Sequence, residues 1–300
     1  NKKVKYWAVK YQFMKEKIKK IAMQMLEEVA LNNRHQYIRN VDNKKLAGVT
    51  SISGLLPQEW MIAYGAKEAV KALGYFEMIR GEDQSAERER MSNIHRQITG
   101  MSGNEFYDFL HDAKKAPQRK SDKALDDGKR GHEWVELYVK AKIRNEKLPE
   151  FPTDWLAKPL KDFVEWADKN VDEFILSEAR LHHVDNEYCG TLDILAIVKG
   201  KLSIVDAKFA NQIGIEYFLQ TAGYAAALIK RGIEVQNRII VRLPKTEFLT
   251  GWNKEKFCYE KRKNEIEVLE VPTDLQFDTE TFLHLRAVEK WLGYVRKFKK

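Results

Sequence analysis

Three short apolar segments set between turn residues, Glu173 to His183, Thr191 to Val198 and Leu202 to Phe209, constrain this chain more than any other feature. They are short and apolar or alternating, and Asp185-Asn186-Glu187 and Lys199-Gly200-Lys201 separate them, which predicts three consecutive strands of an antiparallel meander. A helix follows over Ile215 to Lys230, ended by Gly232, and Val235 to Leu243 reads as a fourth strand. Lys256 to Tyr259 and Glu265 to Val271 are expected to form an outer hairpin, and Asp278 to about Lys297 a closing basic helix. The fold class is therefore α/β, a central mixed sheet of about four or five strands flanked by helices.

The part ahead of the sheet reads as helical. Trp7, Tyr11, Met14, Ile18, Ile21 and Met25 recur at helical spacing within Tyr6 to Ala30. Ala47 to Leu56 is β-branched and reads as a short strand or extended segment, after which Pro57 starts a helix to about Arg80. Trp60, Tyr64 and Tyr75 on that helix have two readings, stacking on unpaired bases and core packing, and packing is the better one. Gly81 to Arg90 reads as an exposed charged turn, Ile94 to Leu110 as helical in its second half, and Lys114 to Asp127 as a mobile basic approach. A firm helix is predicted from Gly128 to Ile143, a loop from Leu148 to Pro159 and a short helix from Leu160 to Asn170. This divides the chain into a helical N-terminal region, 1–120, and a sheet-bearing core, 121–300.

Composition narrows the class. With 44% apolar residues, 16 Gly and 7 Pro in 300, the chain can bury a sizeable core and is neither a disordered tail nor a fibrous repeat. Two Cys, Cys189 and Cys258, cannot build a disulfide framework or a four-thiolate cluster within one chain, so an iron–sulfur cluster is not expected and a reducing compartment is. No run approaches the ~18 to 20 apolar residues that span a bilayer, and Asn1 to Lys20 lacks the pattern of a secretory signal, so the expectation is a soluble, intracellular protein without membrane partners. Residues are also expected ahead of Asn1. The net charge is +8, concentrated at the ends: residues 1–50 hold 12 basic and 4 acidic groups, and 286–300 hold 6 and 1. That suits a phosphate-binding rim around a carboxylate centre, and two solvated amphipathic helices explain it equally well.

Four features in order carry the chemistry: Gly128-Lys-Arg-Gly-His132 with Glu136 one helical turn on, Gly190-Thr-Leu-Asp193 on a predicted strand, Asp206-Ala-Lys208 on the next, and Gln220-Thr-Ala-Gly-Tyr224 on the following helix. Two carboxylates on adjacent strands can converge on Mg²⁺ or Mn²⁺, and strand alternation puts Asp206 and Lys208 on one face, an amine beside the ion. Phosphodiester hydrolysis uses such a set. A lone D-x-K is usually a salt-bridged strand end, and it is the conjunction that argues against this here. Glu136 shares the His132 face and either orients the His, serves a second metal, or pairs with Lys140 on the surface. Gln220 and Tyr224 either contact DNA or form a polar seam against the sheet. Arg119, Lys120, Lys123, Lys129 and Arg130 either touch the phosphate backbone or lie in a solvated loop. His182, His183 and Asp185 read as an exposed polar turn rather than a metal site.

Taken together, these motifs resemble the PD-(D/E)XK nuclease superfamily, specifically its RecB-like exonuclease branch of phage type, to which the mitochondrial genome maintenance exonucleases are similar. The resemblance is strongest over about 125–245. It implies a restriction-endonuclease-like core and His132, Asp193, Asp206 and the Ala207 carbonyl as ligands of Mg²⁺ or Mn²⁺. It further implies Lys208 as the catalytic amine, Glu178 as a further acidic residue, and Gln220 and Tyr224 at the DNA or supporting the site. The activity implied is metal-dependent exonucleolytic cleavage of DNA, on single strands or duplex ends, leaving 5′-phosphates, with the N-terminal helices forming part of a DNA channel. Recombination, repair or replication, in the cytoplasm or at the nucleoid (a host's, for a phage protein) and with a protein partner from those processes, is the setting it suggests. A non-catalytic DNA-binding module on the same fold and a structure-specific endonuclease are the alternatives.

Overall fold

The computed structural model describes residues 2–56, 59–73, 84–253 and 258–299, and all their side chains except those of 2–11, 59–63, 84, 86–87, 90, 249–253, 258–262 and 299. In chain order the elements are helix α1 (Lys2–Glu28); strands β1 (Val29–Leu31), β2 (Tyr37–Arg39) and β3 (Ala47–Gly48); helices α2 (Val49–Ser53), α3 (Glu59–Ala72), α4 (Gln84–Thr99), α5 (Gly103–Arg144) and α6 (Ala157–Asn170); strands β4 (Val171–His183), β5 (Tyr188–Val198) and β6 (Lys201–Phe209); helix α7 (Glu216–Lys230); strands β7 (Asn237–Leu243), β8 (Phe248–Asn253), β9 (Cys258–Lys263) and β10 (Glu267–Glu270); and helix α8 (Leu275–Val295). They form two compact units, one of Asn1–Leu56, Gly131–Lys245 and Ile266–Lys300, the other of Pro57–Arg130 and Thr246–Glu265. The N-terminal 56 residues thus belong with the sheet, ahead of the 121–300 span expected for the core.

The first unit is built on a six-stranded mixed sheet in which β4, β5 and β6 are the antiparallel meander, β7 runs parallel to β6 and β10 antiparallel to β7. Strand β4 pairs along the whole of β5. On the other edge of β5, β6 takes Ile194 to Val198 and β3 takes Tyr188 and Cys189, which leaves a break at Gly190 to Asp193. Lys199 and Gly200, both at positive φ, close the two-residue β5–β6 turn.

Two apolar layers sandwich the sheet. One joins Ile18, Met25, Ile52, Leu228 and Phe282 to Leu195, Ile197 and Ile204; the other joins Val135, Tyr138, Leu160 and Phe163 to Ile194, Ala196 and Val205. Helix α7 can lie close to α8 because residue 223 is Gly: a Cβ there would sit 2.6–2.9 Å from the ring of Phe282, itself fully buried. Gly223→Ala gains about 1 kcal/mol of helix propensity, but overpacking a fixed ring costs about 1–3 kcal/mol. A net loss of stability in urea denaturation is therefore expected, and a gain would show that α8 yields freely.

In the second unit, α3, α4 and α5 up to Arg130 accompany the β8–β9 hairpin. Lys120 Nζ meets Glu68 Oε2 at 2.8 Å, and Arg119 grips Asp112 with two bonds of 2.5 and 2.9 Å.

Several expectations are corrected. Lys114 to Asp127 is helix, not a mobile approach: Ala, Lys and Gln are good helix formers, a Gln118–Asp122 bond of 2.7 Å adds an i,i+4 contact, and α5 carries Pro117 within it. Gly81 to Arg90 is not a turn as a whole, since α4 begins at Gln84; residues 81–83 lie outside the described ones. Ile94 to Leu110 is helical on both sides of a break, where Ser102 and Glu105 form a reciprocal capping box: Ser102 N donates to Glu105 Oε2 at 2.7 Å and Glu105 N to Ser102 Oγ at 3.3 Å. Ala47 to Leu56 is extended only at Ala47–Gly48 before turning into α2. Residues 256–257 of the expected outer hairpin lie outside the described ones, and what is described pairs otherwise: β9 with β8 and β10 with β7, where Arg242 Nε reaches Glu267 Oε2 at 2.8 Å. His182 and His183 are 2% and 6% exposed, not a surface turn, because β4 runs on through both. His182 Nδ1 lies 2.6 Å from Glu28 Oε2, and His183 Nδ1 accepts from Asn186 N at 3.3 Å. Asp185 alone is in the turn, paired with Lys230. The readings of Trp60 and Tyr75 lie outside the described side chains, and Tyr64 is half-buried beneath Lys120, 5.8 Å from its ring.

Candidate metal centre

The break along β5 is where the titratable motifs meet. The β4–β5 register, Ser177 opposite Ile194 and Ala179 opposite Leu192, sets Glu178 across from Asp193. Both strands lose regularity at that pair. Glu178 has φ of +50°, a conformation strained for a residue with a Cβ. On β5, Leu192 packs into one apolar layer and Ile194 into the other, although residues two apart in a regular strand share a face. On the other side the β5–β6 ladder ends at Ile194–Val205, and the Asp193 carboxylate takes over from it, accepting the Ala207 N–H at Oδ2 over 3.0 Å.

Helix α5 brings His132 to this point. Gly131 makes that approach possible: a Cβ there would lie 2.3–2.5 Å from the Phe209 ring, which also meets the His132 imidazole edge-on at 5.6 Å. His132 Nδ1 stands 3.5 Å from Asp193 Oδ2. One ligand atom each from His132, Glu178 and Asp193 fall within 4.8 Å of one another, a spacing that a divalent ion can bridge.

Asp206 and Lys208 do share a face. Lys208 Nζ donates to Asp206 Oδ1 at 2.8 Å, and Oδ2, fully buried, has no directed hydrogen bond although Nζ is 2.8 Å away. The Tyr217 ring lies 5.2 Å from Nζ. Electrostatics follow from burial. Desolvation pushes Glu178 up to about 8, reinforced by Asp193 and Glu136. Burial raises Asp193 against the opposing pull of Lys208, and raises Asp206 to about 6. Burial draws Lys208 down, but Asp206 and Asp193 outweigh it and leave its amine above the usual range. His132 is pushed down to about 4 by burial and then by Lys208, so at neutral pH its ring is uncharged and can donate a lone pair.

The expected ligand set is thus partly rearranged. His132 and Asp193 are together, Glu178 stands in the cluster with them, Asp206 faces Lys208 instead, and the group of Ala207 engaged here is its N–H. Glu136 pairs with Lys140, as its surface alternative held, while still acting on Glu178 through space. Gln220 and Tyr224 are buried, with Gln220 Nε2 donating to Tyr224 Oη at 2.9 Å, a position that fits the supporting role and not contact with DNA. Arg119 and Lys120 are held in ion pairs of the second unit, and Lys129 and Arg130 are exposed on α5.

Three residues near the centre had no motif to announce them. Phe209 and Tyr217 wall His132 and Lys208, and Tyr37 hydrogen-bonds Thr191, two residues before Asp193, at 3.0 Å. Only the Gly131–Phe209 complementarity left a trace in sequence, as an otherwise unneeded Gly beside the His. No protein-family model matches the chain, and no curated protein matches it.

Proposed function

We propose that this chain is a divalent-metal-dependent deoxyribonuclease that hydrolyses phosphodiester bonds at single strands or duplex ends. The observation that carries the reading is the approach of His132, Glu178 and Asp193 to within 4.8 Å, next to the buried Asp206–Lys208 pair. The donors fit Mn²⁺ or Mg²⁺: a neutral imidazole from His132 and the carboxylates of Glu178 and Asp193. Bound there, such an ion would supply Lewis acidity toward a phosphate and acidify a water. The chain's own groups supply the rest. The Ala207 N–H fixes the Asp193 carboxylate, and Gly131 and Phe209 hold His132 against it. Lys208 would place a cation where negative charge builds up on the phosphate and where an attacking water can be held, with the Tyr217 ring 5.2 Å from its Nζ. The resemblance to RecB-like nucleases supports DNA as substrate, 5′-phosphate products, and work in recombination, repair or replication. Among the described residues no helix is long and apolar enough to cross a membrane.

Labelled linear DNA incubated with Mn²⁺, Mg²⁺ or a chelator provides the test. Shortening from the ends with metal and none with chelator is the expected result; intact single and double strands under all conditions would defeat the proposal. Cleavage of covalently closed circles would instead mark an endonuclease.

The shifted groups predict how metal affinity depends on pH. Glu178, normally near 4.5, keeps its proton up to about 8 in the folded state, and Asp206 up to about 6, so the metal-free fold loses stability as pH rises through those windows. His132 acts oppositely: between 6.5 and about 4 the unfolded chain takes up a proton that the folded ring refuses, and stability falls as pH drops. A metal must displace the Glu178 proton, so apparent Mn²⁺ affinity should climb by up to about tenfold per unit between roughly pH 6 and 8, then level. Calorimetric titration at several pH values checks this; a flat profile removes Glu178 from the ligand set.

A further inference from the structure

Helix α8 is anchored on one side and exposed on the other. Phe282 is fully buried against Gly223 and Tyr188, and Arg286 donates to the carbonyls of Asn186 and Glu187 at 2.8 Å each. Its opposite face carries Val288, Trp291 and Tyr294, 46%, 60% and 60% exposed, and continues into Phe298, 71% exposed, in the 3-10 turn Arg296–Lys299. Three aromatic rings at this exposure contribute little to the core, and they recur at i, i+3 and i+7, a strip ~10 Å long. Tyr294 and Phe298 meet edge to face at 5.0 Å, which leaves the Trp291 ring open.

Charge indicates what the strip receives. Lys290 and Lys297, seven residues apart, run along one edge of it, Lys290 only loosely held by Glu187 at 3.7 Å. Between 284 and 298 the sole acidic residue, Glu289, is paired with Arg286 on the anchored side. Flat rings beside a basic edge match a strand that presents unpaired bases next to phosphates, since every base has a π-face to stack and every linkage a charge to neutralise. An antiparallel second copy of the same helix would instead bring two basic edges together.

We propose that the outer face of α8 is a docking strip for single-stranded nucleic acid, with Trp291 and Phe298 stacking on bases and Lys290 and Lys297 holding the backbone. The inference takes its class of partner from the nuclease reading and extends it to a surface separate from the metal centre.

The test measures binding of labelled oligothymidylate, oligouridylate and a duplex, each of about 20 nucleotides, by anisotropy in chelator, so that nothing is cleaved. Trp291→Ala with Phe298→Ala should weaken the single strands roughly tenfold or more and the duplex far less, with an unchanged melting temperature. Lys290→Gln with Lys297→Gln should lower the salt slope on single strands by about 1.4. Comparing the two oligonucleotides decides between DNA and RNA as the strand held. Unchanged single-strand binding by the ring variant overturns the proposal. So does loss, in that variant, of a concentration-dependent dimer or of binding to anionic vesicles without any change toward oligonucleotides. The two readings fail separately: a wild-type protein that binds through the strip but never cleaves removes only the metal centre, and one that cleaves while the ring variant binds normally removes only the strip.

Discussion

With the proposed nuclease activity, Lys208→Ala is expected to reduce the turnover of DNA cleavage by roughly 10²–10³-fold, the usual cost of deleting one group that stabilises developing charge, while the protein stays folded. The reasoning starts from the pair itself. Lys208 Nζ is the partner of a fully buried carboxylate, and stripping a partner from a buried charge is normally severe. Asp206 has a way out, because burial already lifts it to about 6 and loss of the neighbouring cation lifts it further, so the group takes up a proton instead of remaining charged. Turnover on linear DNA at saturating metal, measured beside the melting temperature, separates lost chemistry from lost structure. Lys208→Arg retains the cation but not its compact shape, so an intermediate rate is expected. Equal degradation by wild type and Lys208→Ala would remove Lys208 from the mechanism and leave the D-x-K pair as a structural salt bridge.

The largest expected effect on stability lies away from the centre, at Asp278→Ala, with a loss of about 3–5 kcal/mol. Arg238 on β7 is 3% exposed, and its Nη2 donates to Asp278 Oδ2 at 2.6 Å, while the Thr273 hydroxyl donates to the same oxygen at 2.5 Å. Asp278 sits in the first turn of α8, so the pair fastens that helix to the sheet. The carbonyls of Phe218 and Thr273, at 3.1 and 3.0 Å, stay with Arg238 after the substitution, and they hold the expected loss within that range. Urea denaturation reads the value. Asp278→Asn keeps an acceptor and should cost less, and the double change Arg238→Met with Asp278→Leu should recover much of the loss if an uncompensated charge is its cause. A loss below about 1 kcal/mol for Asp278→Ala would show water reaching the guanidinium.

What could be read from the sequence depended on the range of the forces involved. The β4–β5–β6 meander was legible because its strands alternate with local turns, and the shared face of Asp206 and Lys208 because residues two apart on a strand point the same way; His132 and Asp193 were singled out as ligands through the resemblance, and their approach is a tertiary contact that no local spacing encodes. Glu178 carried only a weak signal: its place in the cluster comes from cross-strand register and a positive φ, neither of which one segment encodes. The partnering of β10 with β7, and of β9 with β8, is a tertiary choice among short strands of similar composition. The buried His182 and His183 were misread because their polarity outweighed the continuation of β4, and the middle of α5 because Pro117 and dense charge resemble a linker. Ser102 and Glu105, by contrast, were an available capping signal that the weak apolar pattern of that region obscured.

The contact between Gly131 and Phe209 bears on which ion the centre would prefer. Discrimination among divalent ions turns on tenths of an ångström between donor atoms, and here the gap between the nitrogen of a helix and the oxygens of two strands is gauged by an aromatic ring pressed on a bare α-carbon. The separation of His132 from the two carboxylates is thus set by a junction containing no polar atom, and any methyl group introduced at that spot would act as a shim between the helix and the strands.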